Sequence, residues 1–455
     1  SRCLPRRTVP PSPRAPLPPL PRRPMARPTR ALLLAAGLAA IRAESAEPAA
    51  DAAAEDLRRR LAELREGLHE GGGRLEGLER RLSSVPGSTV TGASLFPIAA
   101  AGTRAYTPTE KFDGALRSMW LLVFGIFAMF LNGGMAMLKA GSCRVKSVQH
   151  VMLLSLWDMV MGTMAWWILG WSFAFSGPFD SYGGGRAFKS TSFIGYEEFA
   201  GHAFIKGVDK QQDPTFKMAM WFISWAFTTV AASIVSGGVA ERNFIGYSVH
   251  CFFSTCFIIP IAVAWTWGGG FLLDMNVPGY QDMAGGGVIH MTAGFSALVG
   301  AILAGPRPGR FSDLTKKERW QTIPDHFTPH SQPLVVLGTF ITWFGTYGVH
   351  CGLIGWNRNI RAESGMLAAQ VAMNTTLAAA ASGLMAYIVQ WGLKRKNDLD
   401  GLCFGVIAGL VAISAGCASV ECGTAVGIGC AAGVIYPLVS AALKMCGIDD
   451  PIDAF

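Results

Sequence analysis

Residues 285–304 read GGGVIHMTAGFSALVGAILA, a predominantly apolar run that contains a single ionisable side chain, His290. A helix of about 20 residues is about 30 Å long, which matches the thickness of the hydrocarbon core of a bilayer. Because hydrocarbon offers no water to the backbone, a spanning segment satisfies its own amides and carbonyls as an α-helix. The run therefore predicts a transmembrane helix with an imidazole inside it.

Eight further apolar runs follow this pattern after residue 113. Only 15% of the 455 residues are charged, whereas soluble domains carry about 25%. The sequence therefore predicts an all-α polytopic membrane protein with about nine transmembrane helices in a domain that covers residues 113–455. The predicted spans are 115–138, 148–176, 216–239, 245–267, 285–304, 332–355, 365–392, 401–420 and 423–446.

The net charge of +8 does not indicate a nucleic-acid-binding protein, since no nucleic-acid-binding motif accompanies the basic residues. They concentrate in the Arg-rich start of the chain and in the odd-numbered loops, which the positive-inside rule places in the cytoplasm. We therefore expect a multi-pass protein with its N-terminus outside, in the plasma membrane or alternatively an organelle membrane. The sixth loop is an exception with Arg358 and Arg361, and the basic residues of the odd-numbered loops are Lys139, Arg144, Lys146, Arg242, Arg307, Arg310, Lys316, Lys317, Arg319, Lys394, Arg395 and Lys396.

Residues 1–46 have the composition of a disordered start followed by a signal peptide. The first residues are rich in Pro and Arg without apolar periodicity. From Met25 the chain has a charged end, an apolar core at 31–40 and small residues around Ala46, which is the pattern of a secretory leader. An organelle transit peptide is the alternative, because no acidic residue precedes Glu44.

Residues 47–112 are predicted to form an extracytoplasmic region with a heptad helix at 51–85. Seven leucines step by four and three, with one longer gap at three consecutive glycines, as in the seam of a coiled coil. The region either forms a coiled coil between subunits or lies as one amphipathic helix on its own protein or on lipid. The leucines are Leu57, Leu61, Leu64, Leu68, Leu75, Leu78 and Leu82.

Four ionisable residues lie in or beside apolar spans, namely Asp158, Asp282, His290 and His350. Such residues are expensive in a membrane and usually functional. On a helix, Asp282 and His290 would be about 12 Å apart on nearly the same face, with Asp282 capping the helix start. A neutral imidazole can accept or donate one proton, which suits the path of a weak base. The alternative is a core histidine bonded to a neighbouring helix.

Trp267 precedes three glycines at the end of the fourth span. It is either an interfacial anchor or an aromatic face that attracts a small cation. Together with five other motifs it closely resembles the signature of the ammonium transporter family, in unbroken order over about residues 112–455. The motifs are Ala240-Glu241-Arg242, Trp267-Gly268-Gly269-Gly270, Asp282-x-Ala284-Gly285-Gly286 through His290, Gly305-Pro306-Arg307, Trp343-Phe344-Gly345 and Asp449-Asp450-Pro451.

This resemblance implies a homotrimer in which each subunit has eleven spans and its own narrow apolar pore for ammonium or ammonia. Trp267 corresponds to the aromatic that recruits ammonium outside, and Phe227 to one of two gating phenylalanines. Asp282 corresponds to the acid that organises the outer site, and His290 to the first of two pore histidines. A dry pore excludes Na⁺ and K⁺ but passes an ion that can lose its proton.

The chain departs from the family pattern at the gate. The second gating phenylalanine falls at Val349, which predicts a wider or wetter constriction. The hydroxyl of the outer site falls at Leu353, which predicts weak recruitment. His350, beside the gate, stands where the family usually has Asn. The second pore histidine and two more spans would follow Phe455, so we expect an incomplete copy of a longer protein, with a degenerate subunit as the alternative.

Two functions follow from these residues. The first is ammonium transport, and the second is a non-conducting ammonium sensor or a structural subunit of a mixed trimer. The spans contain no nucleophile–base pairing and no metal-ligand spacing, so we expect neither an enzyme nor a cofactor or metal site. The expected partners are ammonium or ammonia, the lipid bilayer and further copies of the chain.

Overall fold

The computed structural model describes residues 108–176, 193–202, 214–242, 245–274, 279–312, 314–324, 327–356, 362–394 and 397–455. The leader and the heptad helix lie outside these described residues and stay predictions. The described residues form helices, turns and loops, with no strand among them.

Most helices are long, and three of the membrane segments contain a π-helical turn. The α-helices are α1 (Pro108–Ser142), α2 (Val148–Ala165), α3 (Trp171–Phe175), α4 (Pro214–Gly238), α5 (Ile245–Phe253), α6 (Ile259–Trp265), α7 (Phe271–Asp274), α8 (Thr292–Ala304), α9 (Glu318–Gln321), α10 (Gln332–Gly352), α11 (Ala362–Lys394), α12 (Leu399–Ser414) and α13 (Cys422–Met445). The π-helical turns are Trp166–Gly170, Ser254–Ile258 and Gly286–Met291, and 3₁₀ turns occur at Val145–Ser147, Phe199–Gly201 and Leu353–Trp356.

Within the described ranges, seven helical segments are long and apolar enough to cross a membrane. They are Phe112–Ser142, Val145–Phe175, Phe216–Gly238, Gly286–Ala304, Gln332–Trp356, Ser364–Lys394 and Cys422–Met445, and two shorter apolar segments are Val249–Trp265 and Leu399–Ser414. Each coincides with one predicted span. The polytopic all-α fold is therefore confirmed, with two of the nine spans shorter than expected.

Glycines allow α1 and α10 to pack with their backbones nearly in contact. A Cβ atom on Gly348 would lie 2.2 Å from the Ala128 amide nitrogen, and one on Gly345 would lie 2.6 Å from that of Leu131. Helices in lipid associate through such small residues because lipid provides no hydrophobic force between them. This pairing positions the end of α10, which carries Val349 and Leu353.

Lys139 is not a loop residue as the charge pattern predicted. Its side chain is 1% exposed, and its Nζ lies 3.2 Å from Asp158 Oδ2 and 2.9 Å from the hydroxyls of Ser233 and Ser236. The Ser236 hydroxyl donates to the same carboxylate at 2.6 Å. Asp158 therefore belongs to a buried ion pair that joins α1, α2 and α4, and its charge is neutralised inside the bundle.

The loops that follow α1, α4, α8 and α13 meet in one ion network. Arg307 donates to Asp449 and also, through Nη1, to Glu241 Oε2 at 3.0 Å. Arg144 donates to the same Glu241 oxygen at 2.7 Å, and Arg242 donates to the Asp449 carbonyl. These loops therefore share one end of the protein, called here the basic end. The opposite end, which carries Trp267, is called the aromatic end.

Candidate functional site

The Asp282 carboxylate accepts hydrogen bonds from four consecutive backbone amides. Oδ1 accepts from Gly285 and Gly286 at 2.8 and 2.9 Å, and Oδ2 accepts from Gly287 and Val288 at 2.8 and 2.9 Å. The first amides of a helix have no partner inside the helix, and a carboxylate there also interacts favourably with the helix dipole. The side chain is 8% exposed. Asp282 therefore holds the start of this segment together, as the sequence predicted for a capping residue.

The prediction that Asp282 and His290 lie on one regular helix was wrong. Asp282 lies outside the helix, because Gly285 takes a left-handed φ of +89° and regular winding begins only at Gly286. The segment then forms a π-helical turn, in which the His290 amide donates to the Gly285 carbonyl at 2.9 Å. The carboxylate thus folds over the helix start, and the two side chains do not occupy positions two turns apart on one helix.

Trp267 is anchored directly to this turn. Its Nε1 donates to the Asp282 carbonyl at 2.7 Å, so the indole is positioned by the backbone of the residue whose carboxylate caps the helix. Its side chain remains partly exposed. The hydroxyl of Tyr280 lies 3.4 Å from Asp282 Oδ2. The structure therefore brings together Trp267 and Asp282, two of the residues that the sequence singled out.

Three aromatic rings meet at the aromatic end. Phe227, 1% exposed, packs edge-on against Trp267 with ring centroids 5.3 Å apart. Trp356 lies against both, at 6.3 Å from Trp267 and 6.5 Å from Phe227. Trp356 was not among the residues that the sequence singled out. Its position at the end of the sixth span resembles that of an interfacial anchor, and its pairing with rings more than 80 positions away has no local signal.

Val349 and Leu353 are both buried at the end of α10, each 4% exposed. Leu353 opens the 3₁₀ turn Leu353–Trp356. Arg117 of α1 fixes this turn, since its Nε donates to the Gly355 carbonyl at 2.8 Å and its Nη2 to the Trp356 carbonyl at 2.7 Å. Apolar side chains therefore occupy the two positions where the family resemblance implied a phenylalanine and a hydroxyl.

His290 borders an apolar cavity of about 450 Å³ that is partly open to the outside. Its Nδ1 is buried and has no hydrogen-bond partner among the described residues. The walls of the cavity come from α1, α4, α10, α12, α13 and residues 452–455, and include Leu131, Val230, Thr342, Ile407, Val411 and Ile435. His290 thus borders an apolar space, while its Nδ1 is buried without a hydrogen-bond partner among the described residues.

His350 is a fully buried core histidine with 0% exposure. Its Nδ1 lies 2.8 Å from the Thr375 hydroxyl and its Nε2 lies 2.9 Å from the Ser414 hydroxyl. Both ring nitrogens are therefore paired, and the ring links α10, α11 and α12. The Ser414 carbonyl in turn accepts from the Ala284 amide at 3.1 Å, beside the Asp282 turn.

Comparison with known proteins gives a consistent result. The sequence profile described as Ammonium Transporter Family matches residues 119–455. Ammonium transporter Amt2 of Archaeoglobus fulgidus is 33% identical over 344 residues, which cover 74% of this chain and 67% of that protein. Ammonium transporter 1 member 3 of Solanum lycopersicum is 32% identical over 353 residues, which cover 75% of this chain and 71% of that protein.

Solved structures share the fold. The protein named Sensor Amt Protein superposes with a TM-score of 0.65 at 26% identity, over 76% of this chain and 79% of that chain. Mep2 of Candida albicans superposes with a TM-score of 0.61 at 26% identity, over 74% of this chain and 69% of that chain. The overall arrangement of helices is therefore shared with these proteins.

Proposed function

This chain belongs to the ammonium transporter family, and we propose that it carries ammonium or ammonia across a membrane through a narrow apolar pore. One relationship carries the proposal. Trp267 is bonded to the carbonyl of Asp282, Asp282 caps the segment that contains His290, and His290 faces the apolar cavity. A cation site and a proton-handling residue thus follow one another along a single structural unit.

The proposed path begins at the aromatic end. The partly exposed face of Trp267 attracts the cation, because an aromatic ring carries negative charge density on its face. The Asp282 carboxylate supports this step indirectly. Its oxygens are occupied by four backbone amides, so it holds the turn in place and does not bind the cation itself. Ammonium then passes the Phe227 ring and gives up its proton at His290.

The proposed path continues past His290 into the cavity. A charged ion there would cost several kcal/mol more than a neutral molecule. The imidazole of a neutral His290 can take the proton that ammonium releases, or accept a hydrogen bond from the neutral molecule. Na⁺ and K⁺ have no proton to lose, so the apolar walls exclude them. At the gate, Val349 and Leu353 leave aliphatic surface, which supports a wide constriction and weak recruitment by hydrogen bonding.

Uptake of labelled methylammonium by a transporter-deficient cell tests this function. The complete protein should restore uptake, and His290→Ala should change its rate or its selectivity over K⁺. His202→Ala is the matched control, because His202 is exposed in the short 193–202 segment. Uptake that is unaltered by His290→Ala would remove that residue from the path.

The alternative is a non-conducting ammonium sensor or a structural subunit. The curated relatives carry the name transporter and one solved neighbour carries the name sensor, so the names give the alternative no better support. A complete protein that reaches the membrane and binds ammonium, but restores no uptake, would establish it.

We also propose a homotrimer with its N-terminus outside the plasma membrane. Exposed apolar side chains on α1, such as Met119, Ile126 and Phe130, suit contact with lipid or with a neighbouring copy. Mass measurement of the detergent-solubilised protein tests the trimer, which a monomeric mass would contradict.

The orientation rests on the basic loops at one end. Cys446 is exposed after α13, at the basic end, and Cys422 is partly buried at the start of α13. In variants that keep one of these two cysteines, an impermeant maleimide should label Cys446 only after cells are permeabilised. Labelling of Cys446 on intact cells would reverse the proposed orientation, and labelling of Cys422 is the internal control.

A further inference from the structure

Trp356 occupies an unusual position for a tryptophan at a helix end. Its side chain is 8% exposed, and its ring makes an angle of 47° with both Trp267 and Phe227. Phe175 also contacts it, with centroids 5.1 Å apart. An interfacial anchor presents its indole to lipid headgroups, whereas this indole is packed among the rings of the proposed recruitment site.

The position of Trp356 is fixed from outside the site. The two hydrogen bonds from Arg117 hold the carbonyls of Gly355 and Trp356, and the Trp120 indole donates to the Cys351 carbonyl at 3.0 Å. α1 therefore clamps the turn that carries Trp356. A ring that is held in this way loses little conformational freedom when a ligand binds, which favours affinity.

Leu353 and Trp356 project from the same side of this turn. The segment Leu353–Trp356 is a 3₁₀ helix, which has three residues per turn, so side chains three positions apart are aligned. Leu353 stands at the position where the family resemblance implied a hydroxyl, and a leucine cannot accept a hydrogen bond from an ammonium ion. Trp356 adds an aromatic face beside the position where that hydrogen bond is lost.

The loss of the hydroxyl at Leu353 and the added aromatic face of Trp356 act differently on different cations. Ammonium depends on hydrogen bonds to replace its hydration, whereas an aromatic face binds any cation and is the usual surface for alkylated ammonium groups. We propose that Trp356 is a third aromatic wall of the cation site formed with Trp267 and Phe227, and that it shifts the preference of this site from ammonium toward alkylated ammonium ions such as methylammonium. This inference rests on the proposed function only for the location of the cation site.

The test measures binding as well as transport. Methylammonium chloride and ammonium chloride are titrated calorimetrically into the purified complete protein and into Trp356→Leu and Trp356→Phe. Removal of the ring in Trp356→Leu should weaken methylammonium binding about tenfold, and Trp356→Phe should retain most of it, because a phenyl ring keeps an aromatic face. Ammonium binding should weaken less, so the ratio of the two dissociation constants should shift toward ammonium.

Trp157→Leu is the matched control, because Trp157 is 39% exposed and belongs to no part of this cluster. It should leave both dissociation constants unchanged. Trp356→Leu that binds methylammonium as the unaltered protein does would overturn the inference, and so would an unaltered protein that binds none. If Trp356→Leu fails to fold, the comparison rests on Trp356→Phe. A complete loss of methylammonium binding in Trp356→Phe would then overturn the inference, because this variant keeps an aromatic ring. Binding without uptake refutes the transport function and leaves the inference standing.

Discussion

The Arg307 guanidinium donates two side-chain hydrogen bonds to the Asp449 carboxylate, although the two residues are 142 positions apart in the sequence. Nε lies 2.8 Å from Oδ2 and Nη2 lies 3.0 Å from Oδ1, and the Arg307 amide donates to Oδ2 at 2.9 Å. The side chains are 5% and 3% exposed. Paired donors of this geometry fit a carboxylate better than a single point charge does. This pair therefore joins the loop after α8 to the segment that follows α13.

Replacement of Arg307 should destabilise the protein strongly. Arg307→Ala leaves the buried Asp449 carboxylate without its main partner, which should cost about 3–5 kcal/mol. Arg307→Lys should cost less, since the charge remains and the paired geometry is lost. The measurement is the thermal unfolding midpoint of the detergent-solubilised protein. Lys394→Met is the control, because the Lys394–Asp398 pair is 31% and 20% exposed and should contribute less than about 1 kcal/mol. Equal losses in Arg307→Ala and Lys394→Met would contradict the buried role.

Acid should weaken the same network. Burial acts to raise the pKa of Asp449, but hydrogen bonds and the charge of Arg307 hold that pKa below its ordinary value. Burial also acts to raise the pKa of Glu241. The hydrogen bond from the Arg144 amide and the charge of Arg307 outweigh burial, so the pKa of Glu241 is lowered as well. A carboxyl group whose pKa is lowered by folding stabilises the protein fully above its pKa in the unfolded chain, which is about 3.9 for Asp. That stability is lost as the pH falls through the pKa of the folded state.

Unfolding midpoints between pH 3 and pH 7 check this expectation. The contribution of this network to the unfolding midpoint of the unaltered protein should be constant in the upper part of the range and should fall below about pH 4. Asp449→Asn should have a lower unfolding midpoint at neutral pH, and this midpoint should fall less on acidification. Some fall should remain, because Glu241 still titrates. Parallel curves for the two proteins would show that Asp449 does not titrate in this window.

Asp282→Asn should reduce transport although it keeps the size of the side chain. One amide oxygen replaces two carboxylate oxygens, and the amide NH₂ would face backbone donors that now bond to Oδ2. The Asp282 turn should open, since each unpaired buried donor costs about 1–3 kcal/mol. We expect uptake to fall about tenfold or more.

The control for this variant is Asp398→Asn. Asp398 caps α12 through a single bond to the Gly401 amide at 2.8 Å, at the basic end and away from the aromatic cluster. Uptake in this variant should stay near that of the unaltered protein. Unchanged uptake in Asp282→Asn would show that the turn does not need the charge.

Lys139 and Asp158 should behave as a pair. Lys139→Met leaves a carboxylate buried at 1% exposure without its cation, which should cost about 3–5 kcal/mol. The double variant Lys139→Met, Asp158→Leu should recover most of that loss, because it removes the unpaired charge and keeps apolar volume. Unfolding midpoints of the two single variants and the double variant measure the coupling. Additive losses would mean that the ion pair contributes no coupling.

The sequence predicted the capping role of Asp282 correctly, but it placed Asp282 and His290 on one regular helix, which the structure contradicts. A carboxylate before a run of glycines is a local signal for a helix start. The left-handed φ of Gly285 and the π-helical turn after it depend on contacts with other parts of the chain. One such contact joins the Ala284 amide to the Ser414 carbonyl, which no local pattern contains.

Hydrophobicity by itself determined the helical membrane fold, the positions of the nine spans and the segment that contains Asp282 and His290. These properties depend on the transfer of short stretches from water to lipid, so a stretch carries its own signal. Only the tertiary structure decided that Lys139 is buried against Asp158, that Arg307 binds Asp449, and that Trp356 joins Trp267 and Phe227. These pairings depend on which helices meet, and long-range packing sets that choice rather than the composition of any one span.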